Sequence, residues 1–155
     1  MSPVLLQQLR AQSATVHVRW ETLLRMEPVS GPLANPDALV RLIPDSLARV
    51  FESLDGAREQ GCTLTELTRT RLPNCDCGYN PFVAYYIAGE RAFTEAVVLL
   101  QAAGSAGRSE RELSIVINAV RCLARDEIDT FCGICTHRGV VPNCRLATAA
   151  VPASA

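Results

Sequence analysis

The sequence contains no lysine, and all fifteen of its basic residues are arginines. This absence excludes Schiff-base chemistry at a lysine amine and phosphate-binding loops that end in Gly-Lys. Apolar runs such as Ala96–Leu100 fall far short of the roughly 20 residues of a membrane span. A net charge of −1 gives no basic surface for nucleic acid or anionic lipid. We therefore expect neither nucleic acid nor a membrane as a partner.

The N-terminal sequence MSPVLLQQLR lacks both the basic region and the long apolar region of a signal peptide. The expected compartment is the cytoplasm. In a reducing compartment, the seven cysteines of this chain are better explained as metal ligands, redox thiols or core residues than as structural disulfides.

Residues that favour the start of a helix recur along the chain, and an apolar stripe at helical spacing follows each of the main starts. Pro44 interrupts the second stripe and predicts a kink or break near Ile43. Thr63 and Glu66 form a capping-box pattern that predicts a short helix to about Arg71. The four main starts are Ser2-Pro3, Asn35-Pro36, Asn80-Pro81 and Ser109 with Glu112.

These patterns predict an all-α fold, an up-down bundle of four long helices plus one short helix with a cysteine-rich pole. The length and the 48% apolar content suit one domain with a substantial core. We expect residues 1–145 to form this single helical domain and residues 146–155 to form a flexible C-terminal tail.

Two short cysteine motifs carry the main functional signal. They are Cys75-Asp-Cys77-Gly and Cys132-Gly-Ile-Cys135, and Cys144 follows nine residues later. Tetrahedral zinc and iron–sulfur centres take thiolates in such pairs, because one backbone turn can present two sulfurs to one ion.

Bundle geometry predicts that the two motifs lie close together. The last two long helices form an antiparallel hairpin around a loop centred near residue 106, and Cys77 and Cys135 lie about 29 residues on either side of that centre. An alternating direction of the earlier helices would bring Cys62 to the same pole. Cys122 falls well along a helix, where we expect a small buried hydrophobic residue.

The preferred ligand set is Cys75, Cys77, Cys132 and Cys135, with Cys144 as the first replacement and Cys62 or His137 after it. Zinc is the expected metal, and an iron–sulfur cluster is the alternative. A further alternative is that these cysteines are core thiols or a disulfide pair, because cysteine is among the most buried residue types.

The sequence therefore predicts a metal-binding helical protein with a structural, sensing or protein-interaction role, which binds a protein partner or a second copy of itself. The alternatives are an iron–sulfur or thiol redox sensor or electron-transfer protein and, less favoured, an enzyme with a reactive cysteine. We find no metalloprotease, nucleophile-elbow or dinucleotide motif. His17 and Glu21 have the spacing of a carboxylate-bridged metal site, but we interpret them as a histidine flanking the core and a solvated glutamate.

Overall fold

The computed structural model describes residues 1–27, 34–59, 80–104 and 109–134, and these ranges contain helices and turns but no strand. The predicted all-α class is confirmed for this part of the chain. A 3₁₀ turn, Val40–Leu42, joins the third helix to the fourth. The α-helices are α1 Pro3–Ala11, α2 Ser13–Met26, α3 Pro36–Leu39, α4 Ile43–Glu59, α5 Pro81–Ala102 and α6 Glu110–Ile134.

Side-chain caps explain why the helices begin where the sequence predicts. At each main start, an oxygen of the capping side chain accepts a hydrogen bond from a backbone N–H two or three residues further on. The caps are Ser2 to Leu5 N (3.3 Å), Asn35 to Asp37 N (2.9 Å), Asn80 to Phe82 N (3.0 Å) and Ser109 to Glu112 N (3.4 Å). The short helix predicted for residues 63–71 and the tail predicted for residues 146–155 lie outside the described residues.

The predicted stripes supply the core, and the largest fully buried side chains are Trp20, Tyr85, Tyr86 and Phe93. The break near Pro44 is also confirmed, since α4 begins at Ile43 after the 3₁₀ turn. The first stripe was expected to form one helix, but it divides into α1 and α2 at Gln12. Neither proline nor glycine is present at that division.

The long helices α5 and α6 form an antiparallel hairpin. Arg121 at the middle of α6 makes two hydrogen bonds to Glu90 of α5, at 2.7 and 2.8 Å. Gln101 Nε2 donates to Ser109 O at 3.0 Å where the chain passes from one helix to the other. We call this the closed end of the hairpin, and we call the first turn of α5 with the last turn of α6 the open end.

The contacts of α4 correct one expectation about helix direction. Near the start of α4, Ser46 accepts a hydrogen bond from Tyr85 Oη at 2.9 Å, and Tyr85 lies near the start of α5. Further along both helices, the rings of Phe51 and Phe93 are 6.0 Å apart. Asp55, near the end of α4, forms an ion pair with Arg10 of α1. Helix α4 thus runs in the same direction as α5, and strict alternation of direction fails between these two helices.

The open end lies at one end of a core that α2, α4, α5 and α6 share. Helix α5 packs most extensively on α6 and next on α2, whereas α4 packs on both α6 and α2.

No helix within the described ranges is long and apolar enough to cross a membrane.

Candidate functional site

Asn80 links the two helices at the open end of the hairpin. Its Oδ1 caps α5 by accepting from Phe82 N, while its Nδ2 reaches across to α6. There Nδ2 donates to the backbone oxygen of Ile128 at 3.2 Å and to Cys132 Sγ at 3.3 Å. Asn80 is only 4% exposed, so these protein groups, rather than bulk water, satisfy its amide.

Cys132 is the one preferred ligand whose position is described. Its side chain is 7% exposed, and its sulfur accepts the hydrogen bond from Asn80. Asn80 and Cys132 are each 26 residues from residue 106, so α5 and α6 pair here in the register that a hairpin centred near that residue predicts. The Asn80 amide therefore fixes the position of the Cys132 sulfur relative to the first turn of α5.

A layer of aromatic rings lies directly beneath this pair. The ring of Phe82 on α5 meets that of Phe131 on α6 in a T-shaped contact with centroids 5.9 Å apart. The Phe82 ring also contacts Tyr85 and Tyr86, with centroids at 6.2 and 6.4 Å. Trp20 of α2 continues the contacts, since its ring lies 4.9 Å from that of Tyr85. Trp20, Tyr85 and Tyr86 are buried in this layer, whereas Phe82 and Phe131 are partly exposed.

Both tyrosines in this layer are held in their neutral form. Burial raises the pKa of Tyr86 to about 12, although a hydrogen bond with Ser46 acts in the opposite direction. Burial also raises the pKa of Tyr85, which donates its hydroxyl proton to Ser46. Neither hydroxyl is therefore available as a base near neutral pH, and the layer acts as support.

The other predicted ligands are not described. Cys75, Cys77, Cys135 and Cys144 lie outside the described residues, as do the replacements Cys62 and His137. Among the residues that are described, no group of three or more His, Cys, Asp or Glu side chains is placed to hold a metal. The four-thiolate set therefore stays a prediction.

The direction of α4 bears on Cys62. This residue was expected near the other cysteines because the second long helix was expected to end at their pole. The thirteen steps from Ser46 to Glu59 instead carry α4 about 20 Å along its axis, away from the open end. The argument that placed Cys62 at the metal site no longer holds.

Two further sequence interpretations have definite outcomes. Cys122 was expected to be buried, but it is exposed on α6, on the side away from Val120 and Ala124, which are buried. Glu21 accepts a hydrogen bond from Arg25 Nε at 2.9 Å, in an exposed ion pair four residues apart on α2. This pairing agrees with its interpretation as a solvated glutamate.

A groove at the closed end differs in character from the open end. It encloses about 590 Å³ beside the passage from α5 to α6. Its lining combines apolar side chains with a single carboxylate, so it offers few groups that could bind a metal or catalyse a reaction. The lining residues are Val98, Gln101, Ala102, Ser109, Glu110 and Leu113.

Asn80 is the residue that sequence reasoning missed at the candidate site. The sequence identified it only as the cap of α5, although it lies three residues after Cys77. Its proximity to a cysteine motif was an available signal, but the reach of its amide to α6 depends on the tertiary packing.

Comparison with known proteins adds no family assignment, since no family model, curated protein or solved structure matches this chain. Any function must therefore be argued from the open end itself.

Proposed function

We propose that this protein is a metal-binding helical module in which four thiolates hold zinc at the open end of the α5–α6 hairpin. The proposed ligands are Cys75, Cys77, Cys132 and Cys135, and Cys144 is the first alternative ligand. The four long helices form a bundle in this proposal, and the metal joins the CxC segment to the last helix. A closed site of this kind is structural.

The hydrogen bond from Asn80 to Cys132 is the observation that carries the proposal. Asn80 follows Cys77 by three residues, and a stretch of three residues spans at most about 10 Å. The covalent chain therefore keeps Cys77 near Asn80, whose amide contacts the sulfur of Cys132. The same limit applies to Cys135, three residues beyond Cys132. Both cysteine motifs can therefore reach the small region around Asn80 and Cys132.

The electrostatics of α5 support the same assignment. Helix α5 runs for 22 residues from Pro81, and the N-terminal end of such a helix carries a partial positive charge. The CxC motif immediately precedes that end in the sequence. A thiolate bound close to that end would be stabilised by this charge, whereas Cys132 lies in the last turn of α6, at the negative end of its helix.

The proposed structural role follows from the closed coordination of the metal. It ties a connecting segment to a helix and leaves the outer helical faces for a protein partner or a second copy of the chain. If one coordination position is open, sensing or transfer of the metal becomes the role instead. The thiols must stay reduced to bind the metal, which fits a cytoplasmic location.

An iron–sulfur cluster uses the same four thiolates, so it is the competing occupant of this site. No contact of the described residues favours it over zinc. The two are separated by colour, since iron–sulfur clusters absorb visible light and zinc does not.

The double variant Cys132→Ser with Cys135→Ser tests the proposed function. It should lose bound zinc and melt at a markedly lower temperature, because metal binding contributes directly to the free energy of folding. Cys122→Ser is the matched control on the same helix. Since Cys122 is exposed, this variant should keep both its zinc and its melting temperature. Equal zinc content and equal melting in the double variant and the parent, with all cysteines reduced, would refute the proposal.

A further inference from the structure

The Asn80 side chain has more contacts than a helix cap requires. A cap needs one acceptor oxygen, and Oδ1 fills that role for α5. The amide nitrogen offers two additional donors, which go to Ile128 O and Cys132 Sγ on α6. One buried side chain thereby fixes the first turn of α5, the backbone of α6 and the sulfur of a predicted ligand.

We propose that Asn80 is a positioning residue of the thiolate site, acting on the metal only through the sulfur of Cys132. This inference rests on the proposed function. The N–H donor, 3.3 Å from Cys132 Sγ, orients the Cys132 side chain, so the sulfur is already held in place before the metal binds. Partners that hydrogen-bond to metal ligands in this way commonly account for a 10- to 100-fold change in metal affinity.

The choice of residue supports this role over simple capping. Serine and aspartate cap helices about as well as asparagine does, but neither supplies an N–H donor, and serine is too short to reach α6. Asn35 provides an internal comparison, since its Oδ1 caps α3 in the same way at an exposed position. Asn80 differs in being buried against Cys132.

Two substitutions at position 80 separate the donor from the cap. Asn80→Ser and Asn80→Asp both retain an oxygen for Phe82 N, and both remove the donor to Cys132. Asn35→Ser is the matched control, because it makes the same chemical change at the exposed cap of α3. The measurements are the zinc affinity of the full chain, by competition with a chromophoric chelator, and the visible spectrum of the Co²⁺-loaded chain.

Asn80→Ser should bind zinc about 10- to 100-fold more weakly than the parent. Its thiolate-to-cobalt charge-transfer band should move to longer wavelength, since a sulfur without the N–H donor holds its electrons less tightly. Asn80→Asp should lose at least as much affinity, because it removes the N–H donor and places a negative charge beside the sulfur. Asn35→Ser should change neither the affinity nor the band.

Two different failures are distinguishable. If the parent binds zinc while both position-80 variants keep its affinity and its cobalt spectrum, Asn80 is only a cap and this inference is wrong. If the parent binds neither zinc nor cobalt, the proposed function itself fails, and the inference fails with it. Circular dichroism identifies a variant that loses helix content, and the spectrum of the isosteric Asn80→Asp variant then decides.

Discussion

The two ends of the α5–α6 hairpin are held together by different means. At the closed end the chain itself joins the helices, with Gly104 at a φ of +74° and a hydrogen bond from Gln101 to the oxygen of Ser109. At the open end the helices meet through the buried amide of Asn80 and the sulfur of Cys132. The comparison shows that side chains hold α5 and α6 together at the open end, whereas the covalent chain joins them at the closed end. A metal bound there would supply the missing cross-link.

Both ends expose apolar side chains, with Val98 at 47% and Leu99 at 65% exposure near the closed end and Ile134 at 76% at the open end. The open end also buries a polar amide and a thiol. Buried polar groups are costly to place unless each is satisfied. The open end therefore contains groups that become energetically costly as soon as they lose their hydrogen-bond partners.

Removing the metal should have the largest effect, and the effect should be confined to the open end. A ligand present at a thousand times its dissociation constant stabilises the folded state by about 4 kcal/mol. A strong zinc chelator should lower the melting temperature accordingly and accelerate amide exchange near Asn80 and Cys132. Amides near Ser109 should change little. Uniform acceleration at both ends, or none at either, would contradict this division.

Gly89→Ala tests how the core supports the open half of the hairpin. A Cβ at Gly89 would lie 2.4 Å from Cζ2 of Trp20, which is fully buried and donates its indole N–H to Tyr85 O at 2.9 Å. Trp20 cannot move aside without losing that packing, so the free energy of unfolding should fall by about 1–3 kcal/mol. Chemical denaturation measures it.

Gly56→Ala is the matched control, because nothing lies within 4 Å of the corresponding Cβ on α4. This variant should gain up to about 1 kcal/mol from the better helix propensity of alanine. A loss at both positions would show that the contact with Trp20 is not the cause.

Alkaline pH should destabilise the aromatic layer of the open end. Burial raises the pKa of Tyr86 to about 12 and also raises that of Tyr85, whereas an unfolded tyrosine ionises near pH 10. Stability from these groups is complete below pH 10 and falls as the pH rises toward 12, since only the unfolded state releases the protons. Each tyrosine should contribute up to about 1.4 kcal/mol per pH unit.

Urea denaturation between pH 9 and pH 11.5 measures this loss, and the chain has no lysine to titrate in the same range. Tyr86→Phe should flatten the pH dependence, because it removes the hydroxyl of one of the two buried tyrosines. An unchanged slope in that variant would assign the loss to other groups.

Ser109→Ala should have the smallest effect and should be limited to the closed end. It removes the cap at which Ser109 Oγ accepts from Glu112 N at 3.4 Å, at a cost of about 1 kcal/mol. Zinc affinity should be unchanged, because the chain still joins α5 to α6. A fall in zinc affinity would show that the two ends are coupled.

Local signals in the sequence predicted the helices well. The caps at Asn35, Asn80 and Ser109 and the break before Pro44 depend on neighbouring residues alone, and each is found where the pattern indicates. The division at Gln12 has no such local signal, which explains why a single first helix was expected.

The direction of α4 was predicted wrongly because it is not a local property. Neighbouring helices alternate in direction when a short loop joins them, but residues 60–79 separate the described parts of α4 and α5. A connection of that length allows α4 and α5 to run the same way.

Cys122 and Asn80 differ in whether the sequence could have predicted their environment. Cys122 lies between the buried positions Val120 and Ala124, so the stripe itself already indicated that it faces away from the core. The contact of Asn80 with Cys132 joins residues 52 positions apart, and no local pattern contains it.

The central claim is tested most directly by elemental analysis of freshly purified, untagged protein together with its visible spectrum. A closed thiolate site predicts about one zinc per chain and no colour, in line with four-coordinate structural sites. Protein prepared without chelators that carries no metal would contradict the claim. A brown protein that contains iron would also contradict it, and would assign the open end to iron–sulfur chemistry.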